Sequence, residues 1–404
     1  MQLSARIEEL VGERVGKLGH WGGPEVPIAS PRGESELAAV LGVARDEGLR
    51  VLPIGNGSKL DWALVPERVD LALSTRRMRG VVEYEPAEGV MTARAGTPLR
   101  ELRLLAAQNG HHLSPEVPGD ARATLGGAVS AAQSGPDRLR YGPIRDQVLG
   151  VRLALVDGRV VRSGGALVKD VAGYDLHRLV CGAHGTLGVV TEVSLRLHTL
   201  QPVRALVRHA VGDVTDGVAA AFAAFDRVPR ARAVRLDGTD GRWWLSLDLE
   251  GRAEVVEDEL ERVLALLGRV NVLRDESARR TCEELCEARR RGGDWPLFAI
   301  RTRPSRLTEA LAAVAPFVDV GRSRAELHPL VGEAFVFAEV PEERLDAIDR
   351  AVRSSGASIR WLGAPPSVRA ALARSPEGAE LARRLREALD PTHVLAGPRI
   401  HEGL

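Results

Sequence analysis

Three glycine clusters between residues 114 and 191 punctuate strand-like runs: Thr124-Leu125-Gly126-Gly127, Gly164-Gly165, and the stretch from Gly182 to Gly188. Glycine in such places marks a turn with φ > 0 or a backbone that something must approach closely. A fourth loop, Pro53-Ile54-Gly55-Asn56-Gly57-Ser58-Lys59, follows a strand-like run at 50–53. There the N–H groups of residues 56–59 and the Ser58 hydroxyl are donors beside bare backbone, the chemistry of an anion cradle. Lys59 adds charge and is one of only three lysines, with Lys17 and Lys169. A plain turn after a strand would account for the same loop. At 124–130 the glycine pair opens a small-residue helix, Ala128-Val129-Ser130, which sets helix N-terminal N–H groups beside a ring or a phosphate. Close packing of that helix on a sheet explains the small residues as well.

Groups that move protons or grip carboxylates are fewer. Tyr141 is the acid or base candidate by position, with no neighbouring base in view. Arg145, with Arg138 and Arg140, could hold a carboxylate through two parallel hydrogen bonds, although a chain this rich in arginine also places many on solvated faces. His184 reads as a solvated loop residue. Cys282 and Cys286, four apart, share a helix face, but no His or further Cys is near enough in sequence to complete a metal site, so they read as two ordinary thiols. Beyond residue 200 the histidines are His209, His328, His393 and His401, none paired at a ligand spacing, and no metal site is expected.

The elements that must position these residues belong to a chain of 404 residues with 44% hydrophobic content, enough for two or three packed domains. Its 55 basic and 55 acidic residues balance, which argues against nucleic acid or a polybasic membrane surface as partner. Three cysteines are too few for a disulfide framework or an iron–sulfur centre of the chain's own, so a reducing cytosol is expected. No run approaches the ~20 apolar residues of a membrane span, and the N-terminus lacks the order of a signal peptide. Membrane contact is therefore expected only through a partner.

Apolar spacing at Leu3, Ile7, Leu10 and Val11 predicts a helix over 2–16, followed by an irregular Gly- and Pro-rich lead-in at 19–31. A helix at 34–47 and the strand at 50–53 lead into the first glycine loop. Residues 148–161 read as a hairpin turning at Asp157-Gly158. From residue 202 to 273 the pattern is strand, helix, strand, strand, helix, strand, and it repeats from 297 to 362. Residues 369–389 close the chain as one helix or two.

Taken in order, the loop at 53–58, the segment Ala93-Arg94-Ala95-Gly96-Thr97-Pro98-Leu99, the cluster at 124–127 and the run His184-Gly185-Thr186-Leu187-Gly188-Val189-Val190-Thr191-Glu192-Val193 resemble the FAD-binding domain of the vanillyl-alcohol oxidase or PCMH superfamily. Residues 140–150 and 168–175 resemble most closely the E subunits of bacterial glycolate oxidases. The resemblance covers about residues 28 to 200 and recurs weakly at the C-terminus. It implies an α+β fold: an N-terminal helix and lead-in at 1–27, a PCMH-type FAD-binding domain of two α+β subdomains at 28–200, an α+β cap with a pseudo-repeated ferredoxin-like sheet at 201–375, and a helix and return segment at 376–404. It further implies that FAD is held by Pro53, Ile54, Gly55, Asn56, Gly57, Ser58 and Lys59, by Pro118, Gly119, Thr124, Leu125, Gly126, Gly127 and Ser130, and at its adenine half by Gly188, Val189 and Val190. Lys169, Gly173 and Tyr174 are placed near the cofactor, though Tyr174 could equally be a core aromatic. Relatives with covalent FAD carry a His or Cys in or beside the phosphate loop; residues 54–60 have neither, so the FAD is expected to be non-covalent.

Catalytic relatives carry paired histidines and an acidic residue for a divalent metal, which this chain lacks. The resemblance thus implies a flavin-bearing subunit of a glycolate oxidase-like complex, working beside a homologous metal-bearing flavoprotein and an iron–sulfur subunit, or oxidising a small 2-hydroxy acid itself. A non-catalytic scaffold and a stand-alone FAD-dependent oxidase are the alternatives, and the intact glycines 55, 57, 126, 127 and 188 are expected to favour the cofactor-bearing reading. The tail departs from the family's Asn-Pro-Gly-Arg, having Ala396-Gly397-Pro398-Arg399.

Overall fold

The computed structural model describes residues 2–11, 16–19, 23–60, 64–119, 122–165, 175–288, 297–320, 323–373 and 378–396. Lys169, Gly173, Tyr174 and the tail from Gly397 lie outside them. Short apolar runs near the N-terminus build a four-stranded sheet in the order Gly16–Leu18, Val26–Ala29, Leu71–Ser74, Val51–Ile54. Val26–Ala29 and Val51–Ile54 each run parallel to Leu71–Ser74, whose residues are all buried, as the inner strand of a covered parallel sheet requires. Helices Gln2–Val11 and Glu34–Asp46 supply Ile7, Leu37, Leu41 and Ala44 to its core. Two expectations change here. The described helix is Gln2–Val11, and Gly16–Leu18 is a strand; the lead-in contains the strand Val26–Ala29, which pairs with Gly16–Leu18 on one side and with the distant Leu71–Ser74 on the other.

A five-stranded antiparallel sheet follows, in the order Val81–Glu85, Val90–Arg94, Val189–Arg196, Val148–Ala154, Val160–Gly164. Helices Leu99–Gln108 and Leu125–Ser130 close its core with Leu99, Leu102, Leu125 and Val129.

His111–His112 and His198–Thr199 pair as a two-stranded antiparallel sheet, and the other strands form one eight-stranded antiparallel sheet. Val203–Val211, Ala233–Thr239, Arg242–Gly251 and Asn271–Arg274 lie in the spatial order fourth, first, third, second. Phe298–Arg301, Arg324–His328, Glu333–Phe337 and Ser358–Trp361 repeat that order, and the two halves join through their second strands at Leu236–Leu327, Asp237–Glu326 and Gly238–Ala325. The pseudo-repeat expected from the sequence is present. Because side chains alternate along a strand, one face of this sheet is apolar and packs under helices such as Val214–Arg227 and Glu342–Ser354. The other face carries buried charge, including Arg204, Arg235, Asp248 and Glu326.

The closing segment is a helix pair, Pro366–Leu372 and Ala379–Leu389. After it the backbone returns to the first sheet: Val51 N–H donates to Val394 O (2.7 Å) and Ala396 N–H to Val51 O (2.7 Å). Fully buried Asp390 fixes that return by accepting from Val394 N–H (2.8 Å) and Leu395 N–H (2.7 Å). No helix among the described residues is long and apolar enough to cross a membrane.

Candidate cofactor-binding site

The carboxyl end of the strand Val51–Ile54 opens onto a cleft. Pro53 to Lys59 form one wall; Thr124, Gly126, Gly127 and Ser130 form a second; Gly188, Val189 and Val190 form the third. Three separate stretches of sequence thus meet in one place. Leu125 stands behind the second wall, in the core. Pro118 and Gly119 act at one remove: Lys59 Nζ donates to Pro118 O (2.9 Å), and Gly119 N–H donates to Glu287 Oε1 (2.7 Å).

The loop is held by its own neighbours. Ser74 Oγ donates to Gly55 O (2.7 Å), and Asn56 Nδ2 donates to Arg122 O (3.3 Å). The N–H groups of Asn56 and Gly57 donate to no acceptor among the described residues, which leaves two backbone donors in the cradle for an anion. Thr124 caps the helix Leu125–Ser130, accepting from Gly127 N–H at 3.3 Å.

Three of these glycines also have packing reasons of their own. A Cβ on Gly55 would stand 2.0 Å from Thr124 Oγ1, one on Gly126 2.7 Å from Ala95 Cβ, and one on Gly188 2.7 Å from Leu153 Cγ. Gly55 packs wall on wall, and Gly126 and Gly188 pack on residues behind the cleft. Only Gly57, at φ +67°, is required by backbone conformation with no such close contact.

Tyr141 and Arg145 do not line the cleft. Arg145 is on the surface, its side chain 58% exposed, with Asp146 3.9 Å away. Tyr141 donates its hydroxyl to Glu250 and lies against His198, ring centroids 4.4 Å apart. Burial and the Glu250 carboxylate raise its phenol well above the usual range. Burial likewise pushes His198 down to about 4. Arg138 pairs with Glu333 at 3.2 Å, and Arg140 donates to the carbonyls of Arg230 (3.0 Å) and Glu250 (3.1 Å). These arginines tie the 138–141 helix to the eight-stranded sheet. Their neighbour there is a buried ionic lattice centred on Arg232, which reaches Glu116 at 2.7 Å and Asp248 at 2.9 Å.

Cys282 and Cys286 are buried, burial raises the Cys282 thiol, and burial pushes Cys181 up to about 12; none of the three is shown as a reactive thiolate. Among the described residues no group of three His, Cys, Asp or Glu could hold a metal ion.

Sequence reasoning missed Thr75, which lines the cleft; His184 lines it too, half-buried, with its N–H on Ser130 O (2.9 Å). Thr75 follows the strand Leu71–Ser74, the parallel neighbour of Val51–Ile54. The rule that ligands gather at carboxyl ends of adjacent parallel strands would have found it.

Comparison with known proteins agrees with this geometry. The family model described as FAD binding domain matches residues 27–164. Glycolate oxidase subunit GlcD of Bacillus subtilis is 29% identical over 286 residues, covering 66% of this chain and 60% of that protein. Glycolate oxidase subunit GlcE of Escherichia coli is 44% identical over 126 residues, 31% of this chain and 36% of that protein. The mitochondrial D-2-hydroxyglutarate dehydrogenase of Bos taurus is 32% identical over 188 residues, 46% of this chain and 35% of that protein. The chain thus spans less than two thirds of the length of these relatives. Among solved structures an alkyldihydroxyacetonephosphate synthase superposes with a TM-score of 0.70 over 92% of this chain and 76% of that one; at 18% identity the likeness is one of fold.

Proposed function

We infer, from the PCMH-type FAD-binding domain that residues 27–164 carry, that this chain is the flavin-bearing subunit of a glycolate oxidase-like complex that oxidises a small 2-hydroxy acid. The observation that carries the reading is the cleft where the loop 53–59, the helix start at 124–127 and Gly188 to Val190 converge, with the Asn56 and Gly57 N–H groups unpaired. Those donors, the first turn of the helix and the glycine-lined walls suit a pyrophosphate; residues 28–200 would hold the cofactor, 201–375 cap it, and 376–404 return to it. Bound FAD would supply a two-electron acceptor able to release electrons singly. The chain's own part is to bind and orient it and to shield it beneath the eight-stranded sheet.

In this reading the FAD is non-covalent, since the loop 54–60 has no His or Cys. The described residues also offer no ligand set for a metal that would orient a hydroxy acid. A homologous metal-bearing flavoprotein would therefore supply that site and an iron–sulfur protein would take the electrons onward, the assembly being cytoplasmic and touching a membrane only through its partners. GlcD and GlcE are both named as glycolate oxidase subunits, which supports an assembly of this kind.

Acid precipitation of the purified, reconstituted protein should leave its yellow colour in the supernatant. Co-purification from the native host, then glycolate-dependent dye reduction with and without this chain, tests the subunit role. Strong, chelator-sensitive glycolate turnover by the lone chain would overturn it.

A further inference from the structure

A second, open basin lies against the cofactor cleft and shares two of its walls, Asn56 and Thr124. Five guanidiniums line it, those of Arg32, Arg76, Arg77, Arg79 and Arg94. The fold gathers them in one place. Arg32 follows the strand Val26–Ala29, Arg76 and Arg77 lie in the turn after its parallel neighbour Leu71–Ser74, and Arg94 ends the strand Val90–Arg94. Although the chain's 55 basic and 55 acidic residues balance, no carboxylate lines this basin. Acids nearby are engaged: Glu101 pairs with Arg79, and Glu34 accepts from Arg152 Nε (2.9 Å). Arg32 and Arg94 are exposed, and their guanidiniums make no hydrogen bond or ion pair among the described residues; Arg94 reaches Glu34 only through its field.

We propose that this basin draws the anionic pyrophosphate of FAD to the cradle, setting how fast the cofactor is captured rather than how tightly it is held. The inference rests on the FAD reading above. Magnitudes decide between rate and affinity here. An exposed ion pair changes an equilibrium by about one- to five-fold, so Arg32 and Arg94, open to water, add little to a bound state. Their field reaches about 10 Å at 0.1 M salt, and a cleft lined by one sign of charge speeds association of the opposite sign by roughly 10- to 1,000-fold. Holding falls instead to the unpaired N–H groups of Asn56 and Gly57. Because Asn56 belongs to both surfaces, an anion collected in the basin is already at the edge of the cradle.

Stopped-flow fluorescence of FAD mixed with the FAD-free full chain tests this, with a double variant carrying Arg32→Gln and Arg94→Gln. Removing two of the five charges should remove two fifths of the steering on a logarithmic scale, slowing capture about 3- to 15-fold at low salt. The difference should vanish at about 0.5 M salt, where the field is screened. FAD release should change by clearly less than capture. Arg32→Lys with Arg94→Lys keeps the charge without the planar fork and should capture FAD like wild type. Both positions are exposed, so the FAD-free variants should melt like wild type. Wild-type capture that ignores salt, a glutamine variant as fast as wild type, or a lysine variant as slow as the glutamine one would overturn the proposal alone. Release that accelerates by more than capture slows would also overturn it and assign the arginines to the bound state. A wild-type chain that takes up no FAD would overturn the reading beneath it as well.

Discussion

Replacing Arg232 with methionine should loosen the eight-stranded sheet from the part of the chain that carries Glu116 and Asp137. Arg232 precedes the cap strand Ala233–Thr239, and its side chain is 1% exposed. It reaches Glu116 at 2.7 Å and Asp137 at 3.6 Å on the FAD-binding side, and Asp248 at 2.9 Å and Glu250 at 3.4 Å in the cap. Methionine would fill the stem's volume but leave Asp248 and Glu116 to Arg204, at 2.6 Å and 3.7 Å, and Glu250 to Arg140, at 3.8 Å. Removing one member of a buried ionic set costs about 3–5 kcal/mol, because the remaining charges stay buried without compensation. At ~2–4 °C per kcal/mol for a domain of the cap's size, the unfolding midpoint should fall by roughly 6–20 °C at pH 7.5. Circular dichroism melting measures this, and limited proteolysis should show cleavage between the domains. The deficit should also shrink at pH 5, since carboxylates deprived of their cation protonate more readily. A midpoint within about 2 °C of wild type, or a deficit independent of pH, would refute the reasoning.

Burial alone would raise Glu116, Asp137, Asp248 and Glu333, but the arginines and histidines beside them outweigh it and hold all four below their ordinary values. A depressed folded pKa stabilises above the unfolded value and is lost as pH falls through the folded one. Stability should therefore hold from pH 8 to about 5 and decline below about 4; a midpoint that rises in acid would contradict the lattice. Asp237 behaves oppositely: burial pushes it up to about 6, with Glu326 adding to the rise and Arg235, Arg208 and His328 opposing it. Its contribution is present below the unfolded pKa and lost as pH rises through 6, so Asp237→Asn should raise the midpoint at pH 8 and leave it unchanged near pH 4. Arg145→Ala should alter neither flavin content nor melting, because that side chain is on the surface; lost flavin absorbance would return Arg145 to the site.

What the sequence made legible was local. The loop 53–59 and the helix start at 124 each carry their signal within seven residues, and both line the cleft. The cap's repeat was legible because each strand and helix has its own period. Features that exist only through distant pairing were not. Val26–Ala29 takes its inner place in the sheet from the distant Leu71–Ser74, with only the short Gly16–Leu18 beside it locally, and the lattice joins Glu116 to Asp248 across the chain. Tyr141 and Arg145 were chosen by position along the chain, which does not say that one meets Glu250 and the other meets solvent. The glycines teach the sharper lesson, since a scaffold without cofactor would keep Gly55, Gly126 and Gly188 for the contacts they make with protein. Their retention therefore does not separate a flavoprotein from a relic. This distinction can be measured. On Gly126 a methyl group would press on Ala95 Cβ at 2.7 Å and Ala95 O at 3.2 Å, and the hydrogen bond from Gly126 N–H to that carbonyl (2.8 Å) leaves the helix little room to retreat. On Gly127 it would meet only Thr124 Oγ1, at 3.0 Å. Gly126→Ala should thus destabilise the FAD-free protein by about 1–3 kcal/mol through overpacking, and Gly127→Ala by clearly less. If both FAD-free variants melted like wild type while both failed to bind FAD, the glycines would be answering to the cofactor after all.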